Sequence, residues 1–327
     1  MGKDIDLAVI ATLLNERGNV ERLLKDLLSQ SRKPRQIVIV DGGSNDGTWE
    51  TLLSLSQKVP ILKVIKDESC SLRCCPGPIG RGRNRAIEEA EAEIIACADA
   101  GCHYPPNWLE LLVGPIIDEE ADYTIGGSYI DGNGLTVWDV AAAPFLGLDL
   151  PGAGMPRTPT GTARSLAFRK KIWEDIGKFS EGTLCGEDTE FLSRLKRSGK
   201  GKFVPEAGAA YLEHFTFKEA LNRIRRYAQA DGLNKLCRGR FLRMSGRAAL
   251  GMLSLALLFR YRAPFVIYII IELFFAFKHD FKGMSGKVYR PCFLSRILFS
   301  ILVPYVFTYG YFHGLTGGAK QMNRQNT

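Results

Sequence analysis

The sequence predicts an α/β protein, a mostly parallel sheet flanked by helices, followed by an apolar, basic helical region. Three observations carry this. Short β-rich apolar runs alternate with amphipathic helical stretches over the first hundred residues, the pattern of a parallel sheet with crossover helices. One run, Gln36–Val40, ends on Asp41 and opens into the small-residue loop Gly42–Gly43–Ser44–Asn45–Asp46–Gly47. Charge and apolarity also change together near residue 213. Residues 1–213 carry 25 Lys+Arg against 31 Asp+Glu, a net of −6, whereas residues 214–327 carry 18 against 4, a net of +14.

Taken in order, Leu7–Leu14 reads as a buried strand. Val20, Leu23, Leu24, Leu27 and Leu28 then fall at helical spacing, with Asn19 as the expected N-cap. Strand 36–41, helix 47–56, strand 61–66, helix 83–92 and strand 93–98 continue the alternation. The connection 67–82 is long and turn-rich, as functional loops are. A helix is expected over 105–118 and a strand over Tyr123–Ile130. The Gly- and Pro-rich stretch 131–163 lacks periodicity and reads as an acceptor-side loop or lid. Helices follow over 170–177 and from Glu187–Asp188 to Ser198–Gly199, and Thr216–Phe217–Lys218–Glu219 is a capping box opening a basic helix.

The 327 residues, 46% of them apolar, suffice for a large core. The chain runs from Met1 straight into its first strand, so no signal peptide is expected. Its eight cysteines show no C-x-x-C framework, which points to reduced thiols rather than disulfides or structural zinc. Basic residues beside long apolar runs favour a lipid surface over nucleic acid. Ala248–Phe277 is interrupted by Arg260–Tyr261–Arg262–Ala263–Pro264, so one span would bury two arginines and place Lys278, Lys282, Lys287 and Arg290 on the far side. Interfacial helices or a re-entrant hairpin fit better. Ile297–Phe312, containing Pro304, is the best spanning candidate. A buried helical subdomain is the alternative.

In an open α/β sheet, ligands bind beyond the carboxyl ends of the strands. Asp41 would stand at such a tip, where a carboxylate suits the N–H and O–H donors of a base or ribose. Neither a Rossmann G-x-G-x-x-G fingerprint nor a phosphate-binding P-loop motif accompanies it.

Five segments together resemble family 2 glycosyltransferases, in order and spacing, over roughly residues 5–230. They are Thr12–Leu13–Leu14–Asn15–Glu16, Val40–Asp41–Gly42–Gly43–Ser44–Asn45–Asp46–Gly47–Thr48, Gly82–Arg83–Asn84, Ala98–Asp99–Ala100–Gly101 and Gly186–Glu187–Asp188. The resemblance implies the GT-A nucleotide-sugar-binding fold; together with the change in charge and apolarity it gives a catalytic domain over 1–243 and a membrane-associated region over 244–327. It implies an inverting transfer from a nucleotide-sugar donor to a lipid-linked or glycan acceptor at the cytoplasmic face of the cell membrane.

By that resemblance Asp188 is the general base, with Glu187 beside it, and Thr12, Asn15, Glu16, Asp41, Arg83, Asn84 and Asp99 bind substrate. Asp99 occupies the first position of the family's D-x-D metal motif, whose second carboxylate is replaced by Gly101. His214 matches a position where some members supply a histidine, so Asp99 and His214 are the expected ligands of Mn²⁺ or Mg²⁺, Mn²⁺ suiting imidazole better. An ordinary strand-end histidine is the other reading. Arg223–Ile224–Arg225–Arg226–Tyr227 looks like the [Q/R]-x-x-R-W motif of polysaccharide synthases, which makes Arg226 and Tyr227 substrate-binding; a basic helix on a membrane fits equally. Ser165–Leu166–Ala167–Phe168–Arg169 resembles an acceptor-side segment. The missing carboxylate leaves a non-catalytic, sugar-nucleotide-binding or scaffold relative as the alternative.

Overall fold

The computed structural model describes residues 6–150, 162–183, 185–258, 260–277 and 292–316. Residues 151–161 of the expected lid, and Lys278, Lys282, Lys287 and Arg290, lie outside them. The chain divides into two compact units, one of residues 1–129 and 155–213, the other of 130–154 and 214–327.

The first unit opens with β1 (Leu7–Leu13), α1 (Arg17–Leu28), β2 (Gln36–Asp41), α2 (Thr48–Ser56), β3 (Leu62–Lys66), α3 (Pro78–Glu88) and β4 (Ile94–Cys97). β5 (Cys102–His103), α4 (Trp108–Ile117) and β6 (Tyr123–Ile130) follow. It is completed by β7 (Leu166–Arg169), α6 (Lys170–Ile176), α7 (Glu187–Ser198) and β8 (Gly201–Tyr211). The eight strands form one sheet in the order β3-β2-β1-β4-β7-β6-β8-β5. Its first half is parallel, with Leu13 opposite Asp41 and Ile10 opposite Cys97, so β1, β2 and β4 end along one edge. Beyond β4 the sheet turns antiparallel, through β4–β7, β6–β7 and β5–β8. The parallel strands read as continuous apolar runs because helices bury both faces. Ile10, Val40, Ile95 and Cys97 pack with Ile87, Phe168, Phe179 and Phe191 in the core.

Three local readings change. Glu16, not Asn19, caps α1, while Asn19 Nδ2 donates to Glu16 Oε2 at 2.7 Å. α3 starts at Pro78, where a proline loses nothing because the first-turn N–H has no partner anyway. Gly80 and Gly82 stay helical because they seat α3 tightly. A Cβ on Gly80 would lie 2.1 Å from Ser180 O, and one on Gly82 2.1 Å from Thr12 Oγ1. The stretch expected to be a loop or lid contains a helix, α5 (Val137–Leu146), closed at its start by a Thr136–Asp139 capping box.

The second unit is helical: α5, α8 (Phe217–Leu233), α9 (Arg238–Leu257), α10 (Ala263–Phe277) and α11 (Phe293–Leu315). The Thr216–Glu219 capping box opens α8 as expected. Trp138, Phe217 and Phe299 join α5, α8 and α11 in one aromatic cluster, with centroids 5.0–6.1 Å apart. α11 lies directly on α8. Cβ atoms on Gly232 and Gly314 would fall 2.1 Å from Tyr311 O and 2.0 Å from Gln229 O. α9 and α10 are separated by the break carrying exposed Arg260 and Arg262. α11, at 23 residues, is long and apolar enough to cross a membrane. The sequence reading places a boundary at 243, whereas the described residues of 130–154 and 214–327 form one compact unit, in which α8 packs on α11 and α5.

Candidate active site

At the parallel edge of the first unit, β1 and β2 are tied by their loops. Asn15, with φ +57°, donates its N–H to Ser44 Oγ (2.8 Å) and accepts from Asn45 N–H through Oδ1 (3.0 Å). Asparagine tolerates that left-handed conformation better than most residues. Glu16 N–H donates to Thr48 Oγ1 at 2.8 Å. The Glu16 carboxyl is raised above the usual range, first by burial and then by the nearby charges of Glu213 and Asp99. Thr12 lies half-buried on β1 under Gly82.

Asp41 is 0% exposed. Its Oδ1 accepts the N–H groups of Gly43 and Ser44, both at 2.9 Å, and its Oδ2 is buried without a hydrogen-bond partner. A buried, unpartnered carboxylate oxygen is costly, and in a native fold such an atom calls for a ligand or water.

Around Asp99, at the tip of β4, charges interlock. Arg83 on α3 is ion-paired with Glu187 at the start of α7, and its second terminal nitrogen donates to Asp99 Oδ1 at 3.2 Å. Arg164 approaches Asp99 Oδ2 at 3.9 Å and lies over the Tyr211 ring, 4.7 Å from its centroid. The Asp99 N–H donates to Tyr104 Oη (2.8 Å), whose hydroxyl donates to Arg164 O (3.0 Å). Asp188, half-buried, accepts from the N–H of Ala163 at 3.3 Å and of Thr189 at 2.7 Å.

Arg83 and Arg164 thus face three carboxylates, Asp99, Glu187 and Asp188. Burial, and then the neighbouring charge of Asp188, push the Glu187 carboxyl up to about 7, against the pull of Arg83.

Asn84 requires a correction. It is buried, donates to Phe179 O (2.9 Å) and Glu181 Oε1 (2.8 Å), and accepts from Phe179 N–H (2.9 Å) and Trp173 Nε1 (3.3 Å). It anchors the segment leading to α7 instead of meeting a substrate. Ser165 likewise enters the sheet, accepting from Trp108 Nε1 (2.8 Å) and donating to Ala207 O (2.7 Å), so this segment is core and not an acceptor wall.

His214, Arg226 and Tyr227 lie in the second unit, apart from the unit that holds Asp99. His214 Nδ1 meets Asp139 Oδ2 at 2.9 Å, and the buried Asp139 also accepts from Phe215 N–H at 2.7 Å. Metal-binding histidines are commonly oriented by such a carboxylate, which leaves Nε2 as the ligand atom. On α8, Arg226 is exposed and Tyr227 half-buried. Among the described residues no three His, Cys, Asp or Glu side chains converge to hold a metal ion. Asp99 is 31% exposed and presents the hard oxygen donors that a divalent cation takes.

Sequence reasoning did not find Arg164, Tyr104 or Asp139. Arg164 sits beside Asp99 only through sheet pairing, Tyr104 lies five residues on in a connection without periodicity, and Asp139 hides in an aperiodic stretch.

Residues 8–177 match the model of glycosyl transferase family 2. The chain belongs to this family. It is 27% identical over 198 residues to Glycosyltransferase AglE of Haloferax volcanii, a match covering 59% of this chain and 62% of that protein. It is 30% identical over 133 residues to the dolichol-phosphate mannosyltransferase of Pyrococcus furiosus, covering 40% of this chain and 36% of that one. The chain thus spans less than two thirds of the length of these relatives. Among solved structures, the mannosyltransferase PcManGT from Pyrobaculum calidifontis, in complex with GDP-Man and Mn²⁺, is similar at 15% identity. That likeness has a TM-score of 0.52 and covers 97% of this chain and 75% of that chain. Glucosyl-3-phosphoglycerate synthase from Mycobacterium tuberculosis, in complex with Mn²⁺, UDP and phosphoglyceric acid, gives a TM-score of 0.50 at 17% identity. It covers 69% of this chain and 77% of that chain. These likenesses show the GT-A fold.

Proposed function

We propose that this chain transfers a glycosyl group from a nucleotide-sugar donor to a lipid-linked or glycan acceptor, with inversion at the anomeric carbon. The observation that carries the reading is the Arg83 bridge. It links the strand tip bearing Asp99 to the helix start bearing Glu187 and Asp188. Donor-side and acceptor-side carboxylates are thereby held in one charge network.

Asp41 Oδ2 accepts from the donor's base or ribose. Arg83 and Arg164 stand ready for diphosphate oxygens, since guanidinium forks match that geometry. Asp188 takes the proton of the acceptor hydroxyl as its oxygen attacks the anomeric carbon. The bond to the diphosphate breaks with its electron pair leaving on the nucleoside diphosphate. A divalent cation, Mn²⁺ or Mg²⁺, with Asp99 as carboxylate ligand, would neutralise charge on that leaving group.

Exposed Leu253, Ile270, Phe274 and Leu294 on α9, α10 and α11, in a region of net +14, support attachment to the cytoplasmic face of a membrane. The single carboxylate of Asp99–Ala100–Gly101 favours the second reading, a sugar-nucleotide-binding relative without turnover. Thermal stabilisation of the full chain by a panel of nucleotide sugars, with and without Mn²⁺, followed by turnover of any that binds, tests both. Stabilisation with turnover supports the transferase, stabilisation alone supports the binding relative, and neither removes the reading.

A further inference from the structure

Within the second unit, α5, α9 and α10 enclose a groove of about 520 Å³, within the roughly 300–1,000 Å³ typical of small-molecule sites. Phe145, Leu250 and Phe275 line it, together with Arg240, Arg243 and Arg247. These arginines recur at i, i+3 and i+7 of α9, so the helix presents all three on one face.

Their environments differ. Arg247 is neutralised inside the unit: it pairs with Glu272 and donates to Ser300 Oγ at 2.9 Å. Arg240 donates to Phe145 O at 2.7 Å, capping the carbonyl end of α5, and lies over the Phe307 ring at 4.8 Å. Among the described residues neither Arg240 nor Arg243 has a carboxylate within ion-pair distance. Burial holds Arg240 below the ordinary arginine range, and the charge of Arg243 lowers it further, against the attraction of Asp231. Two like charges, one on half-buried Arg240 and one on exposed Arg243, therefore face one apolar groove, and an anion between them would relieve their repulsion and the burial of Arg240.

We infer that this groove binds a lipid phosphate, a phosphate monoester on one apolar chain, with the head group between Arg240 and Arg243 and the chain along Phe145, Leu250 and Phe275. The charge selects the ligand class. Two unneutralised guanidiniums match the roughly −1.5 to −2 of a phosphate monoester near pH 7, whereas a phosphodiester head carries a single charge. The apolar lining excludes inorganic phosphate as the full ligand. That this lipid phosphate is the acceptor rests on the glycosyl-transfer reading; that it binds does not.

The test uses the full chain in neutral detergent, without nucleotide sugar, and dodecyl phosphate as probe. Inorganic phosphate and dodecanol serve as head-only and chain-only arms. Saturable binding of dodecyl phosphate is expected, at least tenfold tighter than either arm. Arg243→Gln should weaken it about tenfold, the order of one charged hydrogen bond, and Arg260→Gln, on the exposed α9–α10 break, should leave it unchanged. Leu250→Trp, which fills the groove, should weaken dodecyl phosphate while sparing the fold. Equal losses in Arg243→Gln and Arg260→Gln would mean attraction of anionic lipid to the whole surface, and inorganic phosphate binding as tightly would mean a plain anion site. Either result overturns the proposal. Donor stabilisation, read separately, reports whether the transfer reading fails instead.

Discussion

The guanidinium of Arg83 on α3 is paired with the carboxylate of Glu187, 104 positions further along the chain, at the first turn of α7. Because both side chains are buried, neither can relax into water if the other is lost. The pair therefore places Asp188, the next residue, with the rigidity of the sheet edge behind it.

Asp188→Asn keeps the shape of the side chain and loses its capacity to take a proton. Transfer should fall by about 10²–10⁴, while donor affinity changes by no more than a few-fold. Steady-state turnover beside calorimetric donor titration checks this; near-normal turnover would remove Asp188 from the mechanism.

Asp41→Ala removes the unpartnered Oδ2 together with the Oδ1 contacts to Gly43 and Ser44. Donor binding should weaken by about one to two decades, the worth of a hydrogen bond to a charged group. Unchanged affinity by calorimetry would refute the assignment.

The raised Glu187 carboxyl makes a stability prediction with a definite sign. From its ordinary 4.5 up to about 7, the folded protein holds a proton that the unfolded chain has released. Its contribution is complete below about pH 4.5 and is lost as pH rises through about 7. Glu187→Gln should flatten that slope, so denaturant midpoints measured at pH 5 and pH 8 should lie closer together in the variant.

Gly82→Ala puts a methyl group 2.1 Å from Thr12 Oγ1 and 2.9 Å from Thr12 Cβ. Overpacking of this kind costs about 1–3 kcal/mol, and here it also pushes α3, with Arg83, off the tip of β1. A lower denaturation midpoint with weakened donor binding is expected. Replacing Thr12 by glycine in the same chain should restore much of the midpoint.

Full-length protein should sediment with anionic liposomes and be released partly, not wholly, by high salt, since screening removes only the electrostatic share. A chain that is monodisperse without detergent and indifferent to liposomes would make the exposed apolar faces of α9–α11 a protein interface.

The parallel half of the sheet was legible because each strand is a short apolar run bounded by turn residues, and its chemistry sits at the ends. Asp41 and Asp99 stand at strand ends, whereas the roles of Arg83 and Glu187–Asp188 came from the resemblance to family 2 glycosyltransferases, and the structure gathers all of them in one unit. Of the antiparallel half, β6 (Tyr123–Ile130) was legible and the other strands were not. β7 is four residues long, β5 two, and β8 carries Pro205 with Gly201 and Gly208, so none shows a full period. α5 was hidden by flanking glycines and by Pro144 inside it. Arg164 escaped notice because its partner Asp99 becomes a neighbour only once β7 pairs with β4. The boundary at 243 follows composition, which cannot report that α8 is completed by α11.

That last contact sets an order of events during synthesis. The backbone of α8 approaches α11 at Gly232, Gly310 and Gly314, so α8 leaves the ribosome with its docking face bare until roughly 80 more residues have been made, several seconds at about 5–20 residues per second. Over that interval the strands and helices of residues 7–129 and 162–213 are already available to fold, while the helices of the other unit present apolar surface without a mate. A nascent chain stalled before residue 293 should therefore carry a protease-resistant amino-terminal portion and a remainder that seeks a chaperone or an apolar surface.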